Sequence, residues 1–396
     1  MARPANNEVA GIGAPAAAAA GGRTTHPAAL PPPAHETGDA TRDSRLAAWL
    51  LTVPRLRDGP HAGAIAGVFD GAAAATYVYP EIAGYYLRWL AFRAVRSGGS
   101  EELAVSATAT QRWLAHWSTL EGPPTRVHLD GTREDWRNRA LFCFDLAMVL
   151  RGVGSATMAG LVTPDDALLR RLDAGLARCI GSDGAFDAIV PLADPACLPV
   201  RWSTRRGAFL AKAAAGVLRA ATQVPVSPRV VAAAEQTFAA SVAALADAPH
   251  PEVHPLLYAC EGILDLPRHA RFHEVLPTVA ARHADLLEFV SGDGLLPESI
   301  AAPADGPFRI DVIAQALRVA HLLAMHDLAP PDAAALARLR GALERDVAAG
   351  DGVPFSRQSP RAQRNTWAAM FADQALAYPA LARDAKPWWL DDPLLV

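Results

Sequence analysis

A chain of 396 residues, 51% hydrophobic and 20% charged, has the material for two average domains or one large repetitive one. Its formal net charge of −4 gives no overall reason to expect nucleic acid or an anionic membrane as a partner. The four cysteines (Cys143, Cys179, Cys197 and Cys260) lie far apart, with no CxxC or Cys/His pair at metal spacing. They argue for buried free thiols and against a disulfide framework or a zinc site, so no metal and no other cofactor is expected.

Residues 1–40 are rich in Ala, Gly and Pro, including Ala16 to Ala20 and Pro31-Pro32-Pro33. An alanine run broken by Gly and Pro reads as a disordered tail rather than a signal peptide, which leaves 41–396 as a single folded domain. No later stretch reaches the roughly 18 uncharged apolar residues of a membrane span, so a soluble, cytoplasmic protein is expected.

From Arg42 the pattern is helical nearly throughout, and strand signals are scarce. After a short amphipathic segment to Val53 comes Tyr77-Val78-Tyr79-Pro80-Glu81, where proline suits the first position of a helix running to about Arg96. Ser100 caps the next, and Gly122-Pro123-Pro124 stops it. Helices are then predicted over Glu134–Val153, Thr163–Ile180, Ser203–Ala221, Ser227–Asp247, Val253–Leu264, Arg268–Val290, Phe308–Met325, Pro331–Ala349 and Asn365–Leu381. They form six pairs, whose second members start near residues 80, 136, 203, 253, 309 and 365, a mean spacing of about 57. The second helices are the more apolar and aromatic set, whereas first helices carry more charge, as in Leu169-Arg170-Arg171-Leu172-Asp173. A helix apolar on most sides belongs inside and a one-sided one outside. The expected fold is therefore all-α, a closed (α/α)6 toroid of inner and outer helical rings.

Six hairpins with Asp-Gly turns between outer and inner helices, such as Asp183-Gly184 and Asp293-Gly294, resemble the six-hairpin glycosidase and polysaccharide-lyase toroids over residues 42–385. Tyr79-Pro80-Glu81-Ile82-Ala83-Gly84-Tyr85 is also similar to a motif in toroid proteins encoded with bacterial polysaccharide-assembly genes. The Asp-x-Asp-Asp motif of terpene-cyclase-like toroids is absent, and Asp391-Asp392 does not match it.

In such a double ring all inner helices start at one end, so their first residues and preceding loops converge on one mouth. That set is Tyr77, Tyr79, Glu81, Trp136, Arg137, Arg139, Trp202, Arg205, Arg206, His254, Phe308, Arg309, Asp311, Arg357, Arg361, Arg364, Asn365 and Trp367. Arginine recognises carboxylate or phosphate with a planar fork, aromatic faces suit sugar rings, and helix N-termini add positive potential. The composition implies an acidic saccharide or other anionic small ligand. Glycoside hydrolysis uses two carboxyl groups about 5–9.5 Å apart, for which Glu81, Glu298 and Asp311 are the candidates. Elimination would use Tyr77, Tyr79 or His254 as base with Arg364 and Asn365 neutralising a uronate. A non-catalytic glycan-binding or scaffold protein is the alternative from another class. A cyclase or transferase working in a dry, apolar toroid centre is a third.

Overall fold

The computed structural model describes residues 45–383 apart from 71–73, 98, 132–133, 248–249, 267–272, 304–306, 329–331, 350–351 and 360–362. The predicted tail, Arg361 and Asp391-Asp392 lie outside these residues.

Helix α1 occupies residues 45–52. The first long hairpin pairs α2 (Pro80–Ser97) with α3 (Glu101–Trp117), and α4 (Cys143–Met158), α5 (Asp166–Arg178), α6 (Leu210–Ala220) and α7 (Pro228–Asp247) follow. The chain continues through α8 (Val253–Asp265), α9 (Leu276–Leu287), α10 (Ile310–Met325), α11 (Ala333–Ala348) and α12 (Thr366–Arg383). The even-numbered helices pack side by side in the order α2–α4–α6–α8–α10–α12, and α12 returns to α2 to close an inner ring. The odd-numbered helices form the outer ring. Burial follows the expected division. Every residue of α8 except Pro255 is buried, whereas α5 buries only Leu168, Leu169, Leu172 and Leu176, one stripe of an amphipathic helix. Outer helices begin on side-chain caps: Ser100 accepts from the Leu103 amide, Asp165 from Leu168, and Asp332 from Ala334 and Ala335. Helix α7 is the one helix among the described residues long and apolar enough to cross a membrane, and it lies in the outer ring against α6 and α8.

Two inner helices start later than the sequence pattern implies. The stretch before α4 is a 3₁₀ turn, Trp136–Arg139, capped by Asp135, and then strand β4 (Ala140–Phe142). Before α6 lies a second 3₁₀ turn, Trp202–Thr204. No proline interrupts either segment, so the sequence holds no break at which to delay these helices. Most of the short strands lie in stretches that read as loops, because they lack the alternating β-branched runs that signal a strand. β1 (Ala66–Phe69), β2 (Ala75–Val78), β3 (Val127–His128) and β6 (Arg364–Asn365) form an antiparallel sheet in the order β3-β2-β1-β6, and β4 pairs with β5 (Ile189–Pro191). These strands sit at the mouth, where they fix the loops that enter the inner helices. Val68 opposite Asn365 joins the first hairpin to the last.

The inner helices approach one another through glycine. A Cβ on Gly152 would lie 2.3 Å from the Gly84 carbonyl oxygen, and one on Gly84 would lie 2.5 Å from that of Met148. Because both obstacles are backbone, Gly152→Ala is expected to force α2 and α4 apart and cost about 1–3 kcal/mol. A urea titration would read this as a lower midpoint at unchanged slope.

The ring's centre is charged. Glu261 on α8 binds Lys212 on α6 at 2.8 Å and also pairs with Arg318 on α10. Asp265 faces Arg88 at 3.7 Å and Arg151 at 3.8 Å, and the Trp89 indole donates to Asp373 at 2.7 Å. This network removes the dry apolar centre that a cyclase or transferase reading requires.

Candidate active site

At the inner-helix N-termini the mouth opens into a cavity of about 450 Å³. Pro80 begins α2 and so places Glu81 in its first turn, and Asp145 occupies the first turn of α4. Tyr79, just ahead of the proline, joins the two acids. Its hydroxyl donates to Asp145 Oδ1 at 3.2 Å and is in hydrogen-bond contact with Glu81 as well. Tyr85, one turn along α2, also contacts Glu81 and meets the Tyr258 hydroxyl at 3.0 Å. Asp145 Oδ2 is buried and makes no hydrogen bond.

The first turn of a helix favours a charged carboxylate, yet here burial outweighs it. Burial, and then the charge of Glu81, hold the Asp145 carboxyl well above the usual carboxylate range. Burial also raises Glu81, but the hydrogen bonds from Tyr79 and Tyr85 and the charges of Lys212 and Arg126 offset part of that rise. Two adjacent acids in unequal surroundings separate into one that keeps its proton and one that gives it up. Both are raised here, Asp145 the further, and they titrate as a pair.

Asp311 does not reach the cavity. It is fully buried beneath Arg309, which binds it through Nε at 3.0 Å and Nη2 at 2.6 Å, while the Trp367 indole donates to it at 3.1 Å. The charge of the Arg309 guanidinium and the hydrogen bonds from Arg309 and Trp367 hold its carboxyl below the usual range despite burial. Its role in the geometry is to fix Arg309 and Trp367 at the rim. Glu298 does line the cavity, held at 3.1 Å by Arg309 Nη1. Tyr77, Tyr79, Arg137, Trp202, Arg309, Asn365 and Trp367 line it too, as the sequence suggests. Trp136, Arg205 and Arg364 do not. Trp136 stacks under Arg137, whose guanidinium carbon is 4.5 Å from its ring centre; Arg205 is exposed; and Arg364 borders a separate outer pocket with Arg357.

The mouth is less basic than its sequence composition implies, because most of its arginines are matched by acids. Arg126 and Arg137 face Asp135 at 3.6 and 3.1 Å, and Arg309 is matched by Asp311 and Glu298. Arg126 also lies over the rings of Tyr77 and Tyr79, at 4.6 and 5.2 Å. His254 is neutral: burial and then Arg309 push it down to about 3. Gln315 donates its amide to Glu261 at 3.2 Å, so its oxygen faces His254 Nδ1 at 2.6 Å. Nδ1 is therefore the protonated nitrogen and Nε2 carries the lone pair. Among the described residues, no group of three or more His, Cys, Asp or Glu could hold a metal ion.

Sequence reasoning passed over Asp145, Arg126 and Tyr258. Asp145 could have been found by register. It holds a first-turn position on the second inner helix as Glu81 does on the first, but a helix start placed near residue 136 put it two turns too deep.

No protein-family model and no curated protein matches the chain. Solved structures do. A D-mannose isomerase superposes with a TM-score of 0.63 at 11% identity, over 88% of this chain and 98% of its own. An unsaturated glucuronyl hydrolase specific for heparin gives 0.59 at 11% identity, covering 88% and 99%. The cellobiose 2-epimerase of Bacillus thermoamylovorans B4167 gives 0.61 at 10% identity, covering 87% and 100%. The fold of this chain is the closed (α/α)6 toroid that these structures share.

Proposed function

We propose that the chain is a carbohydrate-active enzyme that hydrolyses a glycosidic bond, with Asp145 as general acid and Glu81 as general base. The observation that carries this reading is one tyrosine hydroxyl set between two carboxyl groups, Asp145 buried and Glu81 half-buried, whose surroundings raise their proton affinities to different extents. Asp145, with Oδ2 unpartnered, gives its proton to the glycosidic oxygen as the bond to the anomeric carbon breaks. Glu81 takes a proton from the water whose oxygen bonds to that carbon. Trp202, Phe144 and Trp367 offer ring faces to the sugar, and Arg126, Arg137 and Arg201 line the cavity where an acidic substituent would sit. A glucuronyl hydrolase and glycosidases among the structural neighbours support the substrate class.

Elimination is less well supported. Its candidate bases Tyr77 and Tyr79 are held above their ordinary pKa by burial, and the neutralising pair is split, since Asn365 lines the cavity and Arg364 does not. A panel of acidic oligosaccharides separates the readings. New reducing ends without ultraviolet absorbance support hydrolysis, absorbance from an unsaturated product indicates elimination, and binding with neither indicates the glycan-binding or scaffold role.

Turnover needs Glu81 ionised and Asp145 protonated. It is expected to rise as pH passes the raised Glu81 value and to fall through the higher Asp145 value, a bell belonging to the pair. Tyr79→Phe removes the hydroxyl that contacts both acids. It is expected to cut turnover about tenfold, the worth of a hydrogen bond to a charged group, and to move both limbs of the bell.

A second reading rests on His254, a neutral cavity imidazole with its Nε2 lone pair available, because an isomerase and epimerases share the fold. Epimerisation would place deuterium from heavy water at C2 of a reducing sugar, and aldose–ketose isomerisation would place it at C1 of the ketose, in neither case creating reducing ends.

A further inference from the structure

Around β6 the side chains alternate in direction. Gln363, Asn365 and Trp367 border the cavity, whereas Arg364 faces the outer pocket beside Gly352 and Arg357. The Thr366 hydroxyl likewise turns away, to the Ala66 carbonyl. A period of two is the pleat of a strand, and β6 acquires it by pairing with β1, Val68 opposite Asn365. Directly opposed residues put their side chains on one face, and Val68 lines the cavity too. The Asn365 side chain, fully buried, is therefore aimed at the cavity.

Its two amide atoms are used unequally. Oδ1 accepts from the Ala368 amide at 2.9 Å and so caps the start of α12. An N–H donor is met only by an acceptor, so this bond identifies the oxygen and leaves the amide nitrogen at the other position. Nδ2 is buried and makes no hydrogen bond. A buried donor without an acceptor is costly, and capping α12 does not require one, since serine caps a helix equally well. What an asparagine adds here is a donor presented to the cavity.

The surroundings of Nδ2 select the kind of oxygen it meets. Arg364, the neighbour that would neutralise an anion, is directed outward. On one side α12 adjoins α2, whose first turn carries Glu81. On the other side, Arg309 at the start of α10 is already matched by Asp311 and Glu298. Arg126 immediately precedes β3, at the opposite edge of the sheet β3-β2-β1-β6; three strand spacings put the two edges about 14 Å apart. An anionic group at Asn365 would therefore approach a carboxylate without a free cation to receive it, whereas a neutral acceptor meets no such penalty.

We propose that Asn365 binds substrate by donating from Nδ2 to a neutral hydroxyl oxygen of a sugar unit. The assignment rests on the saccharide reading of the cavity and deepens it. Recognition is divided between a cationic edge beside β3 and a neutral donor edge at β6. A ligand lacking the acceptor leaves the donor unpaired and is selected against.

Calorimetric titration of the full chain and of Asn365→Ser tests this with cellobiose and glucuronosyl-β-1,4-glucose, which differ only at C6 of the non-reducing unit. Serine keeps a capping oxygen for α12 but withdraws the donor. The urea midpoint is expected to stay unchanged while affinity for both sugars falls about tenfold. Asn365→Thr, which also caps, repeats the comparison if serine loosens the wall. Monodeoxy cellobioses then identify the hydroxyl: one should bind wild type about tenfold more weakly than cellobiose and show no such deficit on Asn365→Ser. Loss for the glucuronosyl sugar alone would mean that Asn365 meets a carboxylate and would overturn the proposal. So would equal affinities in wild type and variants, or no binding of either disaccharide. Affinity that depends on Asn365 without new reducing ends upholds the assignment and removes the hydrolytic reading, whereas cleavage that both variants leave unchanged does the reverse.

Discussion

Asp145→Asn is expected to lower turnover by about 10³-fold while leaving the fold intact, because positioned acid or base catalysis contributes about 10²–10⁴-fold. The amide has the same shape and can still accept from the Tyr79 hydroxyl, so packing around the first turn of α4 is kept. What it lacks is the proton that burial and Glu81 retain on Asp145. Glu81→Gln is expected to cost a similar factor for the opposite reason, since the amide cannot take a proton from water. The double variant should be little worse than either single one, as groups acting in one step are not additive. Asp311→Asn serves as a contrast. Its effect should run through Arg309 and Trp367, weakening substrate binding more than turnover. Steady-state kinetics on a saccharide that is cleaved would decide the matter: full turnover in both Asp145→Asn and Glu81→Gln removes the pair from the mechanism.

Glu261→Ala should have the largest effect on stability. Glu261 is wholly buried and receives Lys212, Arg318 and the Gln315 amide. Removing it takes their carboxylate partner from two buried cations, and breaking a buried pair in this way costs about 3–5 kcal/mol. Burial already lowers Lys212 to about 8 even with its partner present. Without Glu261 its ammonium is held less well still, so the deficit should shrink as pH rises and the amine becomes neutral. The sign is specific to a lost anion beside a lysine. Urea unfolding at neutral pH and again above about pH 8 would show it, and a deficit that does not depend on pH would mean that packing rather than charge is lost.

The ring was legible in the sequence because each inner helix is apolar around most of its circumference and each outer helix along one stripe. That contrast survives in composition alone. Glu81 was legible because Pro80 fixes where α2 begins. Asp145 was not, since the run from Trp136 to Phe144 holds no proline or glycine to mark where a 3₁₀ turn and a strand end and α4 begins. The charge of the mouth was misread for a different reason. Composition counts arginines, but Asp135 and Asp311, each two positions before or after the arginine it matches, bind Arg137 and Arg309 at 3.1 and 2.6 Å.

The strand pairing between Val68 and Asn365, reinforced by the Thr366 hydroxyl donating to the Ala66 carbonyl at 2.5 Å, spans 300 residues of chain for that side-chain bond. Contacts so distant along the chain form late, because a long loop must close before they can. Gln363, Asn365 and Trp367 line the same cavity as Glu81 and Asp145 but follow them far along the chain, so this wall is set only when the sixth hairpin docks. Until it does, Glu81, Asp145 and Tyr79 face a cavity with one side missing. The clasp that closes the ring is therefore also the step that completes the cavity.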